Sequence, residues 1–290
     1  MATITAGMVK ELRERTGAGM MDCKTALAEN GGDMEAAIDR LRQKGLSRAA
    51  RKAGRTTSEG FIGCRTADDH SAAALVEVKC ETDFVARGEA FRAFAAKAAS
   101  RIFDGDPPDA GALELILGAE LKNLIATLGE NMSLGRFARL EAPQNGLVGN
   151  YVHSNGKIGV LVELVCQNPA TVHRPELLEL AHNLAMQVAA AGALARDPED
   201  LDPGLVARER AVHRQKTLDE GKPEHMVDKI VDGRIRKFYE EVCLMEQPYI
   251  RDDKIRIKDL VRARAEDFGD ALRVGRFVRL NLGEDARREE

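Results

Sequence analysis

One segment of this chain occurs twice. Gly60-Phe61-Ile62-Gly63, followed by Leu75-Val76-Glu77-Val78-Lys79-Cys80 and Phe94-Ala95, returns as Gly146-Leu147-Val148-Gly149, Leu161-Val162-Glu163-Leu164-Val165-Cys166 and Leu180-Ala181, at a constant offset of 86 residues. A second match has an offset of 140 residues: Leu134–Leu140 with Val274–Leu280, and Gly129-Glu130 with Gly269-Asp270. Self-similarity at a fixed spacing means one folding unit built twice. Within the unit, apolar runs at 61–65 and 72–80 around Asp68-Asp69-His70 predict a β-hairpin. Phe91, Phe94, Ala95, Ala98 and Ile102 then share one helical face, and a break follows at 104–108. Leu113, Leu117, Leu121, Leu124 and Leu128 mark a second helix, and a strand closes the unit. Each copy therefore reads hairpin, helix, helix, strand.

The two offsets, 86 and 140, differ by 54 residues, so the second copy carries an insertion of about that size between Ala191 and Ile257. The inserted stretch reads as two charged helices, 203–220 and 224–246, turning at Gly221-Lys222-Pro223. Val227, Ile230, Val231, Ile235, Phe238 and Val242 form one narrow apolar stripe. Such helices pair as an antiparallel hairpin with a thin seam, which projects as a self-contained arm or offers a surface to a partner or a second copy. The N-terminus reads as three short helices. Thr16-Gly17-Ala18-Gly19 ends the first, Asp22 is expected to cap the second, and Asp33 the third. Arg40–Arg55 follows, with seven Lys or Arg and no acid. It reads as a solvated linker or as a contact for an acidic partner. The fold class is α+β, in three parts: 1–55, 56–142, and 143–290 with the arm at about 200–248.

Composition narrows the function. A net charge of -4 gives no general hold on nucleic acid. Five scattered cysteines without a CxxC pair read as reduced thiols of a cytoplasmic protein. No run of about 18 apolar residues predicts a membrane span, and the charges in residues 1–15 do not suit a signal peptide. Catalytic patterns fail: Lys24-Thr25 lacks the glycine a phosphate-binding loop needs before them, since Cys23 stands there. The six histidines form no HExxH, and no GxSxG occurs. These failures lower the expectation of catalysis without excluding it; no catalytic residue is assigned, and no metal or cofactor is expected.

The two copies part company at one place. Where the first reads Thr82-Asp83-Phe84-Val85, the second reads Asn168-Pro169-Ala170-Thr171. Thr82 or Asp83 can cap a helix. Phe84 either folds back onto Phe91 or stands out to wedge into a partner; the scaffold itself does not require a ring there.

Residues Thr5–Lys24, ending in Thr16-Gly17-Ala18-Gly19-Met20-Met21-Asp22-Cys23-Lys24, resemble the N-terminal signature of the bacterial elongation factor Ts family. Cys80-Glu81-Thr82-Asp83-Phe84-Val85-Ala86 resembles its second signature. The resemblance covers nearly the whole chain, including Gly129-Glu130-Asn131 and the charged arm. Glu81 stands where the family often has Gln, and the C-terminal tail is short; both departures are read as lying away from the site. The resemblance implies a guanine nucleotide exchange factor that binds elongation factor Tu in its GDP-bound and nucleotide-free states. It also implies a ubiquitin-associated-like (UBA-like) bundle, a core of two subdomains, and a coiled-coil arm able to support a homodimer. It gives Thr82, Asp83, Phe84 and Val85 the task of dislocating Mg2+ from the partner. Partner contacts fall to Arg13, Met20, Met21, Lys24, Leu128, His153 and Ile250. The alternative is an RNA-binding protein using the bundle and the basic stretch; the acidic net charge and the lack of an aromatic platform speak against it.

Overall fold

The computed structural model describes residues 3–284; the end of the short C-terminal tail lies outside the described residues. Helices α1 (Ala6–Thr16), α2 (Met20–Glu29) and α3 (Met34–Lys52) pack around Leu12, Cys23, Leu27 and Ala37. Thr5 caps α1, and Gly17 ends it in the left-handed region. Asp33 caps α3 by accepting from the Ala36 amide at 3.0 Å. Two expectations need correction here. Gly19, not Asp22, is the cap of α2; Asp22 sits in its first turn and pairs with Lys44 on α3 at 2.9 Å. The basic stretch from Arg40 is helical as far as Lys52 rather than a linker.

The repeat then folds twice. Strands β1 (Glu59–Thr66) and β2 (Ala72–Cys80) form the hairpin. A short α4 (Asp83–Arg87), α5 (Glu89–Gly105) and α6 (Ala110–Leu128) follow, and β3 (Met132–Glu141) completes an antiparallel sheet of order β1-β2-β3. The second half repeats this with β4 (Gly146–Val152), β5 (Ile158–Cys166) and α7 (Pro175–Ala191). The arm is α8 (Pro203–Asp219) and α9 (Glu224–Val242), the latter ending four residues earlier than expected. A small hairpin of β6 (Pro248–Tyr249) and β7 (Asp252–Arg256) leads to α10 (Ile257–Phe268), and β8 (Leu272–Asn281) joins the sheet of order β4-β5-β8.

The copies agree in register. Ala73 pairs with Leu140 as Gly159 pairs with Leu280, and each central strand bulges at the same place, between Val76 and Val78 and between Val162 and Leu164. The central strands are buried on both faces, which is why they read as near-continuous apolar runs. One face of β2 (Ala74, Val76, Val78, Cys80) meets α5 and α6; the other (Ala73, Leu75) meets Val148, Leu161 and Leu280 of the second sheet. The sheets thus lie back to back with helices outside. The bulge in each half holds a buried glutamate. Glu77 accepts from the Arg136 guanidinium at 2.5 Å and from its backbone amide at 3.1 Å. Glu163 pairs with the Arg276 guanidinium at 3.5 Å. A side chain on Gly135 or Gly275 would collide with those carboxylates.

Burial pushes the thiol of Cys80 up to about 12, with Glu130 nearby adding to the shift. Burial likewise takes Cys166 to about 11 and Cys243 to about 12. The nucleophile is the thiolate. A thiol reagent such as DTNB at pH 8 is therefore expected to find at most two fast-reacting cysteines in the native chain, with Cys80, Cys166 and Cys243 withdrawn, and all five after denaturation; a third fast native equivalent would contradict this packing.

Candidate functional site

The hairpin delivers the chain at Cys80 to the turn that carries Phe84. Thr82 caps α4: its Oγ1 accepts from the Val85 amide at 3.4 Å and donates to Glu130 Oε1 at 2.6 Å. Glu130 Oε2 also accepts from the Thr82 amide at 3.0 Å. Asp83 pairs with Arg87 at 3.0 Å. Val85 and Ala86 turn inward to the first-half core, together with half-buried Leu128. Phe84 points outward and is 84% exposed. It does not fold back on Phe91, which is fully buried.

The second half builds the same cap without the ring. Asn168 caps a 3-10 turn, Asp270 takes the place of Glu130 and accepts from the Asn168 amide at 3.2 Å, and Ala170 stands exposed where Phe84 does. Donation from the Thr171 hydroxyl, and then from the Asn168, Ala271 and Gln167 amides, holds Asp270 below the usual aspartate range. The cap architecture belongs to the scaffold; the exposed aromatic ring does not.

Around the first cap, Glu81 is closer to the matter than the sequence suggested. Its Oε1 accepts from the Asn131 amide at 2.6 Å, and Arg55 lies 3.4 Å from its Oε2. The Asn131 bond and then the Arg55 charge hold its carboxyl below the usual range.

The remaining expected residues fall on two other parts of the molecule. Arg13 and Lys24 are exposed on α1 and α2, and Met20 and Met21 are 59% and 70% exposed at the start of α2, outside the bundle core. In the second half, His153 is exposed after β4, its Nδ1 2.9 Å from the Tyr151 hydroxyl. Ile250 lies between β6 and β7. Buried Gln187 positions it, accepting from the Ile250 amide at 2.9 Å and donating to Gln247 Oε1 and the Pro248 carbonyl at 3.1 Å each. Among the described residues ten large apolar side chains stand exposed, and Met20, Met21, Phe84 and Ile250 are four of them. Exposed apolar anchors of this kind suit burial by a partner protein.

A family model described as Elongation factor TS matches residues 81–284. The elongation factor Ts of Desulfovibrio desulfuricans is 57% identical over 283 residues, covering 97% of this chain and 99% of that protein. Those of Nitratidesulfovibrio vulgaris and Lawsonia intracellularis are 53% and 50% identical, covering 99% and 98% of this chain and 98% and 100% of theirs. This chain belongs to the elongation factor Ts family. Its function is that of the family, nucleotide exchange on elongation factor Tu during translation elongation, and not catalysis. The comparisons give no support to the RNA-binding alternative. Among the described residues no helix is long and apolar enough to cross a membrane.

For an elongation factor Ts, the residues that sequence reasoning missed are Glu81, Asn131 and Gln187. Glu81 and Asn131 lie inside the quoted motifs, but their bonds join segments far apart in the chain. Gln187 carried a usable signal, a polar residue on the otherwise apolar face of α7.

Proposed function

We propose that the turn Thr82–Val85 dislocates Mg2+ from the nucleotide site of elongation factor Tu, with Phe84 entering between helices of the partner's G domain and Asp83 beside it. One observation carries this reading: an 84% exposed ring on a cap that the second half builds with alanine. Mg2+ neutralises the phosphates of bound GDP. Shifting the helices that shape its site leaves that charge less compensated, and GDP departs.

An exchange factor binds the nucleotide-free partner more tightly than the GDP-bound one, and by linkage GDP weakens the factor's binding in the same ratio. A 10⁴-fold ratio requires about 5.5 kcal/mol, whereas burying one Phe supplies roughly 1.5–3 kcal/mol. Other contacts must hold the nucleotide-free state. Arg13, Met20, Met21 and Lys24 supply them from a UBA-like bundle, Leu128 beside the Phe84 turn, and His153 and Ile250 from the second half. In this reading residues 1–55 are the anchoring unit, 56–142 the displacing unit and 143–290 the second core unit. The arm is a coiled coil that supports a homodimer, and the protein works in the cytoplasm.

The test is stopped-flow release of a fluorescent GDP from elongation factor Tu. The intact chain is expected to accelerate release, and a rate independent of its concentration would overturn the reading. Met20→Ala with Met21→Ala is expected to raise the half-saturating concentration about tenfold or more, on the basis of roughly 1.5–3 kcal/mol per buried large apolar side chain, while the maximal rate changes little. A fall in the maximal rate alone would remove the anchoring role.

A further inference from the structure

We propose that Asn131 and Glu81 are positioning residues that clip the end of α3 to the turn carrying Phe84, so that the N-terminal helices and the ring meet the partner at one fixed angle. The proposal rests on the reading of Phe84 given above and names how that site is held.

The clip is a short segment, Gly129–Asn131, between α6 and β3. Its first residue offers its carbonyl to the Lys52 ammonium in the last turn of α3. Its second, Glu130, holds both the amide and the hydroxyl of Thr82. Its third, Asn131, is 7% exposed and reaches both ways. The side-chain amide donates to the carbonyls of Arg55 at 2.7 Å and Ala53 at 3.4 Å, just past the end of α3. Its backbone amide donates to Glu81 Oε1, one residue before the Thr82 cap. Arg55 returns to Glu81 from the other side, closing a ring of contacts through Asn131, Glu81 and Arg55. Every link joins segments at least 26 residues apart, and those through Asn131 span 50 to 78.

The second half builds its cap without a clip. Its cap needs only the acid: Asp270 holds the Asn168 amide, and the Gln167 amide donates to the Ala271 carbonyl at 3.0 Å. Ala271 occupies the place of Asn131 and Gln167 that of Glu81. Ala271 has no side-chain amide to offer, and no helix precedes the hairpin there, since β3 ends at Glu141 and β4 begins at Gly146. The clip therefore occurs only in the half that carries the ring, where a helix precedes the hairpin. A ring that must enter a partner while separate helices hold that partner gains from such a connection, because misplacement of about 1 Å at a working group costs on the order of a hundredfold in rate.

Pulsed electron resonance distances between spin labels at Lys10→Cys and Glu89→Cys, in the full chain, read the angle directly; exchange kinetics on elongation factor Tu read its use. Asn131→Ala is expected to broaden the distance distribution and to lower the maximal release rate about tenfold, the equivalent of roughly one net hydrogen bond, with the half-saturating concentration within about twofold. Glu81→Ala is expected to do the same, and Glu81→Gln, which keeps an acceptor for the Asn131 amide, to restore most of the rate. A distribution as narrow as that of the parent in both alanine variants would overturn the clip. Broadening with an unchanged maximal rate would overturn its role in exchange. The distances do not depend on Phe84, so failure of the Phe84 reading shows separately, as a Phe84→Ala variant that releases GDP at the parent rate.

Discussion

Phe84→Ala is expected to slow GDP release from elongation factor Tu by about 10- to 150-fold, the rate equivalent of roughly 1.5–3 kcal/mol for one ring moved from water into a partner. The same substitution is expected to leave thermal stability within about 0.5 kcal/mol of the parent, as for an exposed side chain, because the ring is 84% exposed and the cap beneath it is made by Thr82 and Glu130. The pair of measurements distinguishes the two roles an aromatic residue can have. A ring that packed its own core would cost about 3–5 kcal/mol on truncation. A loss of that size, with little change in exchange by the fraction still folded, would remove Phe84 from the partner surface. Release at the parent rate with parent stability would remove it from the mechanism altogether.

Gly63→Val is expected to damage the fold instead. A Cβ at this position would lie 2.2 Å from the Ala95 carbonyl oxygen and 2.7 Å from its carbon, both backbone atoms of α5. Neither can swing aside, so the helix must lift from β1. Overpacking a core costs typically 1–3 kcal/mol and occasionally more, and a valine facing backbone belongs at the upper end. For a chain of this size that is a drop of about 6–12 °C in Tm, at 2–4 °C per kcal/mol. Gly149 meets Ala181 in the same way, with backbone atoms 2.6 and 2.7 Å away, and its valine variant is expected to lose a similar amount. Gly105→Ala is the control: nothing lies within 4 Å of its Cβ position, so little change is expected. Equal melting temperatures for Gly63→Val and Gly105→Ala would mean that α5 does not sit as close to the sheet as described.

Those two glycines show what the amino-acid pattern made legible. They recur at the same place in both copies because each half brings a helix against its edge strand, and the apolar runs that follow them specify central strands buried on both faces. The contrast between Phe84 and Ala170 was legible for the same reason: the second half states what the scaffold needs, and the remainder points to a partner. The misreadings have physical causes too. The basic stretch read as a linker, yet it is helical through Gly45. Its neighbours Gln43, Lys44, Arg51 and Lys52 are good helix formers, and the glycine serves a close contact instead, since a Cβ there would lie 2.7 Å from that of Ala126 on α6. Glu77 and Glu163 recur in the repeat yet went unread as a pair of buried carboxylates, because their arginine partners lie 59 and 113 residues away. Glu81 was set aside for the same reason: a composition of local signals does not show that Asn131, 50 residues on, completes its hydrogen bonding.

The arm begins and ends at one spot. Leu194 donates to the Val242 carbonyl at 2.8 Å, Leu244 to Ala195 at 2.9 Å and Met245 to Arg196 at 3.0 Å, so the two chains of its stem are stitched side by side before either helix departs. Ala195, Leu201 and Cys243 bury that stem. Whatever lies beyond it is, topologically, a detour that returns to its starting point. Closing such a loop costs only about 0.6 kcal/mol more for each doubling of its length. The core therefore sets no limit on how far the detour reaches, and helical turns can be added or deleted in pairs without altering the register in which β8 rejoins its sheet.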